Sequence, residues 1–369
     1  MTKRGIVYSY LGKFRVVVFM MIVLLLIYLH SEKIAKGSSY YTFLQYGNDN
    51  NIYYKENYSE KSNEGSSFYT FLPYEDNSNS YNQEKQYNLR VIVIVYDRAH
   101  SLLRLLKSLN DAEYFSDLIK VEVWIDRSEK GTINEATLNT ARSYVFKHGD
   151  YAVNLHRHHV GIYGQWLTNL KINLNSSEIA VILEDDLTVS KYFWKYLKLV
   201  HQTYDDHKDI NGYALQGITT TFGVENPHIL QALTSDHVFL FPVVGTWGFS
   251  PNKRNWKQFI DWYNFGDARS TMPYIPGHLA SKWFQGFIKT GKANTMWEIW
   301  HIYYAWKHNE YTLYCNFPNH TGLTANWREK GLHYDIFRGA SNPLLTVWKK
   351  EYENCPKKPK YLHFSGKII

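Results

Sequence analysis

Three consecutive carboxylates, Glu184, Asp185 and Asp186, follow the apolar run IAVIL at 179–183. A short β-branched run of this kind reads as a strand buried on both faces. Three carboxylates directly after it cannot all be buried bare, because a buried charge is costly unless it is paired or metal-bound. Hard oxygen ligands at a strand end suit Mg2+ or Mn2+. Such an ion neutralises a diphosphate leaving group and acts as a Lewis acid. The plain alternative is a solvated acidic turn that caps the helix expected over 190–200. Other strand ends weigh against it. Asp97 and Arg98 follow LRVIVIV at 89–95, and Asp126 and Arg127 follow LIKVEVWI at 118–125. A third short strand at 151–155 leads into His156, His158 and His159.

The elements that must position these groups alternate. Leu102, Leu105, Leu106 and Leu109 recur at helical spacing after the first strand. Residues 134–147 read as a second helix and 165–174 as a third. Strand and helix in alternation argue for βαβ units and a mainly parallel α/β sheet flanked by helices. Ligands of such sheets sit at the carboxyl ends of the strands, where the residues named above stand. No P-loop or glycine-rich dinucleotide fingerprint accompanies the strands, so a kinase or dehydrogenase lacks its phosphate cradle.

The second half carries aromatic motifs. VGTWGFS at 244–250 precedes a helix expected over 253–265. Trp247 there can stack against the face of a sugar, or pack into the core. MWEIW at 296–300 opens another helical stretch around Glu298. Burial between Trp297 and Trp300 would raise the Glu298 pKa toward a range useful for base catalysis. A salt bridge on a helix face is the alternative.

The chain has 369 residues, with 41 Lys+Arg against 34 Asp+Glu and a formal charge of +7. That charge is spread out, without the basic block of a nucleic-acid arm, so no nucleic-acid partner is expected. A hydrophobic fraction of 44% and an aromatic fraction of 17% exclude a disordered or fibrous protein. Two cysteines exclude a disulfide-dense scaffold and a Cys-rich zinc module. They leave room for one Cys315–Cys355 bridge in an oxidising lumen.

Residues 16–29 carry no charge, and Lys3, Arg4, Lys13 and Arg15 precede them. Fourteen helical residues rise only about 21 Å against a roughly 30 Å hydrocarbon core. Phe14, His30 and a snorkelling Arg15 narrow that gap. IYLH at 27–30 is a poor cleavage site, which favours an uncleaved signal anchor over a signal peptide. The expectation is a cytosolic tail at 1–15, a transmembrane anchor at 16–30 and a lumenal remainder. A short span suits the thinner membranes of the early secretory pathway. A stem follows at 31–88, in which GSSYYTFL at 37–44 recurs as GSSFYTFL at 65–72. Two copies make a duplicated linker or a Tyr-rich docking segment, not a solenoid. Sequons stand at Asn57, Asn175 and Asn319. The catalytic domain is expected over 89–340, with a tail at 341–369.

Taken in order, VIVIVYDR at 91–98, VWID at 123–126 and VILEDDL at 181–187 resemble the core of a GT-A glycosyltransferase. The pattern is similar to N-acetylglucosaminyltransferase I and its protein-O-mannose relative, and to family-2-like glycosyltransferases. The resemblance implies that Arg98, Asp126 and His159 contact the nucleotide, with Asp126 accepting from a uracil ring. It implies that Asp186 ligates Mn2+ or Mg2+, and that Glu184 and Asp185 hold the ribose and sugar. Glu298 takes the place of the base in the family's Trp-Asp-Asp-Trp segment, with Glu for Asp and Ile299 for the second acid. NWREKGLHY at 326–334 resembles a loop that closes over the diphosphate, where Arg328, Lys330 or His333 would assist, or else it is an exposed basic loop. The resulting expectation is a Golgi-resident type II membrane enzyme. It would transfer a sugar, GlcNAc by the resemblance, from a UDP-sugar to a glycan or glycoprotein with inversion. Another donor sugar, or an inactive glycan-binding protein of the same fold, are the alternatives.

Overall fold

A computed structural model describes residues 85–369 apart from positions 226, 233, 332 and 333. The expected tail, anchor and most of the stem therefore lie outside the described residues. Among the described residues no helix is long and apolar enough to cross a membrane. The described residues fall in one unit, 68–369.

The chain begins as the sequence pattern requires. β1 (Leu89–Val95) leads into α1 (Ala99–Asn110), β2 (Ile119–Ile125), α2 (Glu135–Ser143), β3 (Gly149–Leu155), α3 (Gly161–Thr168) and β4 (Ile179–Glu184). β5 (Leu187–Val189), α4 (Phe193–Tyr204), β6 (Ile210–Ala214), β7 (Val238–Phe241) and β8 (Phe249–Pro251) follow. Then come α5 (Lys253–Phe265), α6 (Leu279–Lys289), α7 (Glu298–His308), β9 (Tyr311–Cys315), β10 (Thr324–Asn326) and β11 (Lys360–Tyr361).

Nine strands form one sheet in the order β11-β7-β9-β6-β8-β4-β1-β2-β3. β1 pairs in parallel with both β2 and β4, and β2 with β3. β6 and β9 run the same way, separated from β4 by the antiparallel β8. The sheet is thus mostly parallel, with β7, β8 and β11 reversed. β5 and β10 make a small antiparallel pair beside it.

Alternation along β1 explains the layering. Leu89, Val91, Val93 and Val95 face the leucines of α1 and the aromatic side of α4. Ile92 and Ile94 face Trp166 of α3 and the Trp- and Phe-rich faces of α5 and α7. Each such side chain, fully buried, contributes about 1.5–3 kcal/mol. The strand is therefore apolar from Val91 to Val95, and Arg90 near its start turns to Glu178 at 2.8 Å.

Two helices differ from expectation. α2 stops at Ser143 because Tyr144 turns extended and its hydroxyl donates to the Leu106 carbonyl at 2.7 Å. α3 begins four residues before the expected 165 because the Asp126 carboxylate caps it, accepting from Val160 and Gly161 N–H at 2.9 Å each. Gly161 takes φ +62° there, a conformation that side chains disfavour. The bridge for which the two cysteines leave room does not form: Cys315 and Cys355 are both free, and burial pushes the Cys315 thiol up to about 12.

The strand order reverses at β1: β2 and β3 lie on one side, β4 on the other. That reversal opens a crevice at the carboxyl ends of β1 and β4, the place where open α/β sheets bind ligands.

Candidate active site

Arg98 and the three carboxylates meet at that crevice. Arg98 is the residue before α1, and its side chain makes no helix cap. It turns instead to Asp185, with Nε 3.2 Å from Oδ2 and a close Nη2 contact to Oδ1. Its Nη1 donates to Asp186 Oδ2 at 3.2 Å. The other Asp186 oxygen accepts from Asn326 Nδ2 at 2.8 Å. Glu184 accepts from Trp166 Nε1 at 3.0 Å.

Burial raises the Glu184 and Asp185 pKa values. The neighbouring Asp186 adds to both shifts, and Arg98 opposes them. Burial works against the Arg98 charge as well, but Asp185 and Asp186 overcome it and hold the guanidinium protonated. Three carboxylates face one guanidinium, which leaves an excess of two negative charges when all are ionised. That donor set fits a hard divalent cation in charge and in ligand type. Among the described residues no three His, Cys, Asp or Glu gather into a complete metal cage. Asp186 and Asp185 would therefore hold an ion whose remaining ligands come from a bound molecule and water.

The segment after β10 covers this cluster. Asn326 holds Asp186, and Trp327 N–H donates to the Asp186 carbonyl at 2.9 Å. A Cβ on Gly331 would lie 3.5 Å from Arg98 Nη1, so the loop passes directly over the guanidinium. Glu329 pins the loop to α1, accepting from Ser101 and from Arg104, whose Nη2 lies 2.5 Å away. The Arg104 guanidinium also lies 4.6 Å over the Trp327 ring. Arg328 is not free to reach a ligand. Its guanidinium donates to the carbonyls of Arg338, Gly339 and Ala340 and closes the loop on itself. His333 lies outside the described residues.

Trp297, the residue before Glu298, packs against the donor to Glu184. Trp166, the donor to Glu184, stacks on Trp297 with centroids 4.4 Å apart and planes 22° from parallel. Tyr163 donates its hydroxyl to the carbonyls of Ala293 and Met296, at 2.9 and 3.0 Å. These contacts fix the turn that starts α7, and Glu298 is the first residue of that helix. Burial pushes its carboxyl up to about 7, while its own backbone N–H works the other way. Part of the residue still reaches solvent. No ion pair to Glu298 forms among the described residues, so the helix-face salt bridge has no partner there.

Asp126 and His159 form a neighbouring pair at the ends of β2 and β3. Asp126 is 3% exposed, and besides capping α3 it accepts from Arg127 N–H at 2.8 Å. His159 Nδ1 lies 2.6 Å from the Arg127 carbonyl and 3.2 Å from Asp126 Oδ2. The carboxylate thus braces the fold with both oxygens, and a nucleotide base would find it already engaged by backbone donors. Trp247 lies toward β10. Its N–H donates to Gln216 Oε1 at 3.2 Å and its carbonyl accepts from Thr324 Oγ1. It is half-buried, with part of the ring packed on the core.

Asn326, Trp166, Tyr163 and Glu329 support this site. Asn326 and Glu329 lie within the NWREKGLHY segment already singled out, and no local pattern marked Trp166 or Tyr163. One further constellation imitates chemistry without performing it. His201 lies 2.8 Å from Ser250 Oγ and 3.0 Å from Asp205. Ser250 is fully buried and spends its hydroxyl proton on the Ala180 carbonyl, so this trio braces β4 against β8 and α4.

No protein-family model matches the chain, and no curated protein matches it. Among solved structures, a mannosyltransferase from Pyrobaculum calidifontis in complex with GDP-Man and Mn2+ is 17% identical, with a TM-score of 0.27. The match covers 36% of each chain. TarS 1–349 from S. aureus is 14% identical over 63% of this chain and 61% of that one, with a TM-score of 0.32. Its complex with UDP-GlcNAc is 15% identical over 42% and 40%, at 0.28. In each case the match spans less than two thirds of the other protein. Likenesses this faint describe those proteins and assign nothing to this chain.

Proposed function

We propose that this protein is a metal-dependent inverting glycosyltransferase that takes its sugar from a UDP-sugar. The observation that carries the proposal is the Glu184-Asp185-Asp186 cluster at the β1/β4 crevice, with the Trp166–Trp297 stack leading from it to half-buried Glu298 at the start of α7. A divalent ion bound at Asp186 and Asp185 would supply charge neutralisation for a departing diphosphate. Arg98 adds a fixed positive charge beside it, and the loop 326–331 shields the pair from water. Glu298, half ionised near neutral pH, accepts the proton of an acceptor hydroxyl. That oxygen then attacks the anomeric carbon, the bond to the diphosphate breaks, and one displacement inverts the centre. Trp247 offers a ring face to the acceptor.

The donor is proposed to be UDP-GlcNAc and the acceptor a glycan or glycoprotein. The uncharged 16–29 run behind four cations supports a type II anchor in the Golgi membrane, with the site lumenal. Calorimetric titration of the protein with a panel of nucleotide-sugars, with and without Mn2+, tests the proposal. Metal-dependent binding of a UDP-sugar, lost in Asp186→Ala, is expected. Binding of no nucleotide-sugar would overturn it in favour of an inactive glycan-binding protein.

A further inference from the structure

A cavity of about 500 Å³ opens at the same edge of the sheet, beyond the carboxyl ends of β6 and β9. Such a volume lies within the range of roughly 300–1,000 Å³ typical of small-molecule sites. One wall comes from the long connection 216–237, whose described residues form no helix and only isolated bridges. Connections of that length inside a folded unit are usually functional. The other wall is the segment 316–320, and Phe239, Tyr314 and Phe317 form the apolar base.

Its chemistry is one-sided. Among the described residues no Lys, Arg, Asp or Glu lines it. The polar groups are amides, hydroxyls and imidazoles. Gln231, Asn319 and His320 have side chains with no hydrogen-bond partner among the described residues. Asn319 and His320 also hold φ values of 58° and 53°, two successive left-handed residues without glycine. Backbone of this kind costs energy and gathers at ligand clamps. Gly217 permits the closure: a Cβ there would lie 2.4 Å from the His320 carbonyl.

The cavity is tied to the cluster of carboxylates. Gln216, in its wall, bridges to Thr324 and accepts from Trp247 N–H. Asn326, two residues further along β10, holds Asp186. At about 3.3 Å per residue, that strand separates the wall from Asn326 by about 7 Å.

We propose that this cavity binds a neutral, hydroxyl-rich carbohydrate, as the part of the acceptor that does not react. The proposal rests on the transferase reading only for the word acceptor; the binding site stands on its own lining. A phosphate or carboxylate would find no Lys or Arg among the described lining residues to offset its desolvation. A purely apolar ligand would leave the free amides and imidazole dry and unpaired. A saccharide satisfies both, with hydroxyls for Gln231, Asn319 and His320 and C–H faces for the apolar base.

The test uses the full chain in detergent micelles and two variants at exposed loop positions, Ser235→Trp and Gln231→Glu. Saturation-transfer NMR would measure binding of neutral disaccharides (chitobiose, lactose, mannobiose) and of sialyllactose as a charged control. At least one neutral disaccharide should bind wild type in preference to sialyllactose. Its affinity should fall at least tenfold in both variants, with unfolding temperature and UDP-sugar binding unchanged. Absence of neutral saccharide binding, preference for the charged probe, or equal binding by both variants would overturn the assignment. Loss of all nucleotide-sugar binding with saccharide binding intact would instead remove the transferase reading and leave the cavity assigned.

Discussion

Glu298→Gln should make the protein more stable above neutral pH while removing its turnover. A glutamate carboxyl ordinarily titrates at 4.5, and burial moves this one to about 7. Between those values the folded state binds more protons than the unfolded chain, so stability falls as pH rises through the window. The contribution is fully present below pH 4.5 and is lost as pH passes 7. Complete ionisation costs about 3 kcal/mol at 1.36 kcal/mol per tenfold step. Because part of Glu298 reaches solvent, about 2 kcal/mol is the working figure. The amide keeps the shape and never ionises. Urea unfolding at pH 5 and pH 8 measures the difference between wild type and variant at each pH. The variant should gain about 2 kcal/mol on wild type between the two conditions. Turnover of a UDP-sugar, followed as UDP release with acceptor, should rise with pH in wild type and level off above 7. In the variant it should fall by about 10²–10⁴-fold. An equal stability difference at both pH values would refute the claim that this carboxylate is held desolvated. Intact turnover would refute its role as base.

Removing the cation from the cluster should be costly and reparable. Arg98→Met leaves Asp185 and Asp186 buried without their partner, a loss of about 3–5 kcal/mol. Mn2+ should restore part of that loss in thermal unfolding, and no response to Mn2+ would argue against a cation site. Trp166→Phe keeps the stack on Trp297 but strips Glu184 of its donor, at about 1–3 kcal/mol. The penalty should shrink as pH falls through about 8, where burial places the Glu184 pKa. Asp126→Asn weakens the clamp on α3 by about 1–2 kcal/mol. Faster hydrogen exchange at the Gly161 amide would report it, and unchanged exchange would show that the cap does not hold the helix.

What the sequence makes legible here is charge set against hydrophobicity. Arg98, Asp126 and the Glu184-Asp185-Asp186 run stand out because each directly ends an apolar strand, and the chain cannot avoid placing them at one edge of a parallel sheet. The groups that fix their geometry carry no such local mark. α3 starts where it does because a carboxylate 34 residues upstream accepts from its first amides. Trp166 and Trp297 read separately as core aromatics, and only the fold stacks them. Asn326 meets Asp186 from 140 positions away. The reversed strands β7, β8 and β11 are equally silent, since a short buried run looks alike in either direction.

This division has a physical cause that bears on how the site works. A charge is expensive to bury wherever it sits, so its position betrays it in one dimension. A support is cheap anywhere and matters only in three. Arg98 shows both sides at once: its charge is visible beside Asp97, but its task is set by carboxylates 87 and 88 positions later. The guanidinium opposes the rise that burial gives the Asp185 pKa, and it is hydrogen-bonded to both carboxylates, whose hard oxygens suit a cation. Substituting Lys for Arg98 separates these contributions. The charge stays, but the planar fork that reaches both carboxylates is lost. If the fork matters, Arg98→Lys should weaken Mn2+ binding by about 10–100-fold, the range for residues that orient metal ligands. If charge alone matters, Mn2+ binding should be unchanged.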